Sequence, residues 1–117
     1  MPHFPQSQIK KRAPRVQVPN AETIRFNMEG RMVSAVLRKL SMTGGLAEFP
    51  GSLGEISIAE AQLTTACGPV RGLVEILRSQ SRNIHSYPFR FIALGDYDYQ
   101  RLQATLLLMQ KRGLADA

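Results

Sequence analysis

The order of apolar and polar residues predicts short β-strands along most of the chain. Apolar and polar residues alternate over residues 24–28, which is the period of a strand with one buried face. Glu29 and Gly30 then favour a turn, and residues 32–40 predict a second strand that forms a hairpin with the first.

Four more apolar segments follow, separated by glycine and proline. They predict strands over residues 46–49, 56–67, 70–77 and 89–93. We expect Gly68-Pro69 to form the turn between the second and third of these, and Pro88 to mark a sheet edge or a bulge. Six strands joined by short turns favour an antiparallel β-barrel or sandwich.

The last segment predicts an amphipathic helix that covers the barrel. Its apolar residues recur at spacings of three and four, as on one face of a helix: Tyr99, Leu102, Leu106 and Met109. Asp96 is expected as the N-cap, and Gly113 suits the position after the last turn. We therefore expect a flexible tail over residues 1–9 and one domain over residues 10–113, with the helix at 96–112.

Composition narrows the classes of function. The 117 residues fit one domain, and no apolar run approaches the ~20 residues that a membrane span needs. Two histidines and a single cysteine, far apart in the sequence, argue against a metal site, and no catalytic motif is present. We expect a cytoplasmic binding protein, with no catalytic residues, no metal and no cofactor.

The net charge of +6 is concentrated at the N-terminus. Residues 1–21 hold no acidic residue, but they include Lys10, Lys11, Arg12 and Arg15. Such a basic arm, residues 10–15, attracts partners that carry phosphate.

Two short motifs give the chain a resemblance to a known family. Residues 11–15 read Lys-Arg-Ala-Pro-Arg just before a strand, and residues 39–44 read Lys-Leu-Ser-Met-Thr-Gly between two strands. In this order and strand context they resemble the R-x-x-x-R and [D/N]-x-S-x-x-G motifs of PilZ domains. The resemblance covers about residues 10–112 and implies a six-stranded antiparallel barrel of the split-barrel type with a C-terminal helix.

The resemblance also implies a function, namely non-catalytic binding of the bacterial messenger cyclic di-GMP. The ligand-binding residues that it implies are Lys11, Arg12, Arg15, Lys39, Ser41 and Gly44. Arginine can bind a phosphate or the guanine edge through two parallel hydrogen bonds. Arg12 and Arg15 are therefore expected to make the main contacts with the ligand. A downstream protein partner is expected to recognise the ligand-bound arm.

Two residues differ from the family motifs and keep a second function open. Lys11 replaces an arginine, and Lys39 stands where the family has an acceptor of hydrogen bonds from guanine. The alternative is a PilZ-type adaptor that binds a partner protein and no nucleotide. The basic charge also admits a nucleic-acid-binding barrel, but only 7% of the residues are aromatic, which disfavours it.

Overall fold

The computed structural model describes residues 15–18, 22–54, 57–78, 85–113 and 115–116. Within them lie eight strands and one helix, in this order: β1 Arg15–Gln17, β2 Thr23–Met28, β3 Arg31–Ser41, β4 Gly44–Glu48, β5 Ile58–Thr65, β6 Gly68–Ile76, β7 Ser86–Leu94, α1 Asp96–Lys111 and β8 Ala115–Asp116. The expected tail at 1–9 and most of the basic arm lie outside the described residues.

Six of the strands close into an antiparallel barrel. The order around it is β2-β5-β6-β7-β4-β3, and β3 pairs back onto β2. Closure leaves none of the six with an open edge along its whole length, which removes the risk of unwanted strand pairing. The predicted six-stranded barrel with a C-terminal helix is confirmed.

Two short strands extend this barrel beside β3. β1 pairs with the end of β3 in the register Val16 to Leu40, and β2 pairs further along the same edge in the register Thr23 to Val36. β8 then pairs with the outer edge of β1. The chain that leaves the basic arm is therefore built into the barrel wall from Arg15 onward.

Aromatic rings fill the barrel interior. Phe26 is 0% exposed, and its ring centroid lies 5.0 Å from that of Phe49 and 5.6 Å from that of Phe89. Phe89 in turn meets Phe91 edge to face at 5.8 Å. Such tilted and edge-on contacts add to the area that the rings bury, so these four residues anchor β2, β7 and the chain after β4 on one core.

The hairpin turn of β2 and β3 is where the sequence predicts it. Glu29 and Gly30 have φ angles of 52° and 85°, and the Gly30 N–H donates a 3.1 Å hydrogen bond to Asn27 Oδ1. Two successive positive φ angles are typical of the tight turn that matches the twist of a hairpin.

The turn between β5 and β6 lies two residues earlier than the sequence suggests. The turn residues are Ala66 and Cys67, and Gly68 already begins β6. Thr65 closes the turn, since its Oγ1 accepts from the Cys67 N–H at 3.1 Å and donates to the Gly68 carbonyl at 2.7 Å. A threonine side chain thus sets the turn that the Gly-Pro pair was expected to form.

Pro88 is tolerated in the sheet interior, so the expected edge or bulge at this residue is wrong. β7 lies between β4 and β6. The Pro88 carbonyl accepts a 2.8 Å hydrogen bond from Leu77, which directly follows the last residue of β6. The missing N–H of proline therefore falls where the ladder with β6 ends, and little is lost.

Helix α1 packs on the barrel through the predicted face. Leu102 and Leu106 are buried, and the Thr105 Oγ1 lies 2.9 Å from the Thr65 Oγ1 of the β5–β6 turn. The N-cap is Gly95 and not Asp96. At the other end Gly113, with a φ of 77°, directly follows the C-cap, as expected for a glycine that ends a helix.

No helix among the described residues is long and apolar enough to cross a membrane. The same part of the chain holds no group of three or more His, Cys, Asp or Glu side chains placed to bind a metal ion.

The aromatic core gives a test of this packing. Phe26→Ala should lower the free energy of unfolding by about 3–5 kcal/mol, because it removes a fully buried ring from the centre of the cluster. Met32→Ala is the control, since Met32 is 57% exposed and its loss should change stability by less than about 0.5 kcal/mol. Urea denaturation followed by circular dichroism measures both, and equal effects would contradict the assigned core.

Candidate ligand-binding site

Strand pairing brings Arg15, the last residue of the basic motif, to the serine motif. Arg15 lies directly opposite Ser41, and Gln17 lies opposite Lys39. Between them Val16 and Leu40 are buried in the core. Because successive side chains of a strand point to opposite faces, the other four residues belong to the outer face of the barrel wall.

A bulge in β3 decides which residues reach this outer face. Ala35 and Leu37 point into the core before the bulge, and Leu40 does so after it. The register with β4 shifts between Leu37 and Lys39, which leaves Arg38 as the extra residue. Without this insertion the alternation would turn Lys39 into the core.

The exposed Arg38 has a partner of its own. Its Nε donates to Glu48 Oε2 at 3.2 Å, across the β3–β4 pair. The bulged residue is thus held along the barrel surface by an ion pair with the neighbouring strand.

Ser41 organises the turn between β3 and β4. Its Oγ accepts hydrogen bonds from the backbone N–H groups of Thr43 and Gly44, both at 3.2 Å. The same oxygen lies 3.2 Å from the Gly44 carbonyl and 3.0 Å from Thr43 Oγ1, and Ser41 is only 2% exposed. The hydroxyl therefore satisfies the backbone of the turn itself.

Gly44 is required by the contact between β4 and β7. A Cβ at this position would lie 2.0 Å from the Phe89 carbonyl oxygen and 2.7 Å from the Arg90 Cα. The adjacent Phe91 N–H donates a 2.8 Å hydrogen bond to the Thr43 carbonyl, which draws the turn against β7. The small residue of the motif thus lets two backbones approach each other.

The structure places the predicted site residues as follows. Arg15, Lys39, Ser41 and Gly44 are brought together on the outer wall of the barrel, at the end of β3 and the start of β4. Lys11 and Arg12 lie outside the described residues. That these residues contact a ligand stays a prediction.

One charged neighbour of this site, Arg90, lies outside both sequence motifs. Arg90 on β7 lies directly opposite Gly44 and pairs with Glu75 on β6. The alternation around Phe89 and Phe91 correctly predicts that Arg90 faces outward, but it cannot tell which strand lies beside it.

The steric role of Gly44 gives a matched pair of substitutions. Gly44→Ala should destabilise the protein by about 1–3 kcal/mol, because backbone atoms of β7 must move to admit the methyl group. Gly54→Ala should have little effect or stabilise slightly, since no atom of the described residues lies within 4 Å of its Cβ position. Thermal melts of the two variants decide the matter, and equal melting temperatures would contradict the close β4–β7 contact.

Comparisons with known proteins bear on the fold. No protein-family model matches the chain, and no curated protein matches it in sequence. Among solved structures it is similar to the PilZ domain of YcgR from Escherichia coli, in a structure with c-di-GMP. The match covers 90% of this chain and 95% of that one, with a TM-score of 0.60 and 12% sequence identity. The chain therefore has a PilZ-like fold.

Proposed function

We propose that this protein is a non-catalytic receptor for cyclic di-GMP. The ligand would bind on the outer wall of the barrel, where Arg15 meets the turn formed by Ser41 to Gly44. The observation that supports the proposal is the strand register that sets Arg15, the last residue of the first motif, opposite Ser41 of the second.

The chemistry of the surface suits an anionic, guanine-bearing ligand. The Arg15 guanidinium offers a planar set of donors that can hold a phosphate or the O6 and N7 edge of guanine. Lys39 adds a second positive charge. It lies on β3, two residues before Ser41, and points to the same outer face of the barrel. Lys11 and Arg12, a few residues upstream, would reach over the ligand from the arm.

Ser41 and Gly44 have a different task in this proposal. The Ser41 hydroxyl already fixes the turn, and Gly44 already admits β7. They set the shape of the surface, while the arginines supply the charge that recognises the ligand. If a substitution of Ser41 lowered the affinity for the ligand, the cause could therefore be a disrupted turn as well as a lost contact with the ligand.

Binding would be coupled to the arm. β1 has only three residues, and its first residue, Arg15, is also the last residue of the basic arm. A ligand held between arm and barrel would order the arm and present a changed surface to a downstream protein. The proposal places this receptor in the cytoplasm, with ligand binding and release but no turnover.

Calorimetry with cyclic di-GMP tests the proposal. The unmodified protein should release heat on titration, and Arg15→Ala should weaken binding roughly 10- to 150-fold, as expected for the loss of a charged hydrogen-bonding group. Arg25→Ala is the control: Arg25 is also an exposed strand arginine, but it lies on β2 between buried Ile24 and Phe26 and pairs with Gln62. Absence of heat from the unmodified protein at tens of micromolar ligand would refute the receptor function.

Lys39 supports a second candidate, a PilZ-type adaptor that binds a protein and no nucleotide. In the family motif this position carries Asp or Asn, which accepts hydrogen bonds from guanine. An ammonium group can only donate, so guanine donors facing Lys39 would find no acceptor.

The variant Lys39→Asp separates the two candidates. If the protein is an adaptor, the unmodified chain should fail to bind cyclic di-GMP and Lys39→Asp should create or strongly raise affinity. Arg31→Asp makes the same charge change at the exposed far end of β3 and should have no such effect. Tight binding by the unmodified protein that Lys39→Asp leaves unchanged would contradict the adaptor function.

A further inference from the structure

We propose that Arg90 is an additional ligand-contacting residue of this site, one that lies outside both sequence motifs. The inference rests on the proposed function, because it concerns the same anionic ligand. Arg90 would supply positive charge to the site from β7, on the side of the β3–β4 turn opposite to Arg15.

The position of Arg90 follows from the packing of β7. Its neighbours Phe89 and Phe91 are buried in the core, so Arg90 belongs to the outer face. It lies directly opposite Gly44 on β4, and its side chain is 43% exposed. Since Gly44 has no side chain, nothing from that position stands between Arg90 and the surface of the turn.

The β3–β4 turn is hydrogen-bonded to β7 as well as to β3. The Phe91 N–H donates a 2.8 Å hydrogen bond to the Thr43 carbonyl, and the Ser41 Oγ lies 3.2 Å from the Gly44 carbonyl. A ligand that contacts the outer surface of this turn therefore meets β7 as its next neighbour. The side chain of β7 that faces outward at this register is Arg90.

Arg15 and Arg90 flank the turn from opposite sides. They are carried by β1 and β7, with β3 and β4 between them. Three strand spacings of ~4.8 Å put their backbones roughly 14 Å apart. Two arginines at this spacing, one on each side of the turn, suit a ligand with two separate phosphates, such as a cyclic dinucleotide.

Glu75 holds the Arg90 side chain at the barrel surface. The two residues are cross-strand neighbours, and a guanidinium nitrogen of Arg90 is paired with Glu75 Oε1. A guanidinium has five N–H donors in a fixed plane, so the group as such is able to contact a carboxylate and a phosphate at the same time. A lysine has no such planar set of donors, which makes Arg90→Lys an informative variant.

The experiment is calorimetry with cyclic di-GMP on the full chain and three variants. Arg90→Ala should weaken binding roughly 5- to 50-fold, and Arg90→Lys should lose at least threefold although it keeps the charge. Arg71→Ala is the matched control, since Arg71 is an exposed arginine on β6 beside the opposite end of β7 and should stay within twofold of the parent. Circular dichroism melts check that each variant is folded.

The outcomes distinguish a failure of this inference from a failure of the proposed receptor function. If the parent protein binds and Arg90→Ala stays within twofold of it, or matches the loss in Arg71→Ala, Arg90 is no ligand contact. If the parent does not bind at all, the receptor function fails and the role of Arg90 fails with it. Should Arg90→Ala not fold, Arg90→Gln, which keeps a hydrogen bond to Glu75, takes its place with the same expected loss.

Discussion

The candidate site depends on one irregularity in β3, the bulge at Arg38. An unbroken strand would point residues 35, 37, 39 and 41 to the same side, which is the barrel core. The extra residue reverses the alternation, so Leu40 fills the core while Lys39 and Ser41 point to the outer side of the barrel wall. There Ser41 stays buried against the β3–β4 turn. β1 then pairs with β3 just after this reversal and brings Arg15 to the same face.

Much of the fold could be predicted from the sequence because its signals are local. The alternation in β2, the turn at Glu29 and Gly30 and the apolar face of α1 are each visible within a few residues. The β5–β6 turn was misplaced because a threonine side chain, and not the Gly-Pro pair, closes it. The bulge and the proximity of Arg90 to Gly44 arise from pairing between distant strands, so periodicity along one strand carries no sign of them.

The two motifs report on different things. Ser41 and Gly44 serve the barrel itself, through the hydrogen bonds of the turn and the close approach of β7. A chain would keep them for its fold even if it bound no nucleotide. Arg15 and Lys39 are not part of the buried core, so their charge is the better guide to function. Lys39 is one of the two positions, with Lys11, at which this chain differs from the family motifs.

The pairing of β8 with β1 has a mechanical consequence. Arg15 lies opposite Asp116, so the first and last described strands of the domain share one short ladder. A polypeptide attached ahead of β1 and one attached after β8 would both be tethered at this seam. A force applied to one of these attached segments would act on the other through the β1–β8 hydrogen bonds, without being transmitted through the six barrel strands.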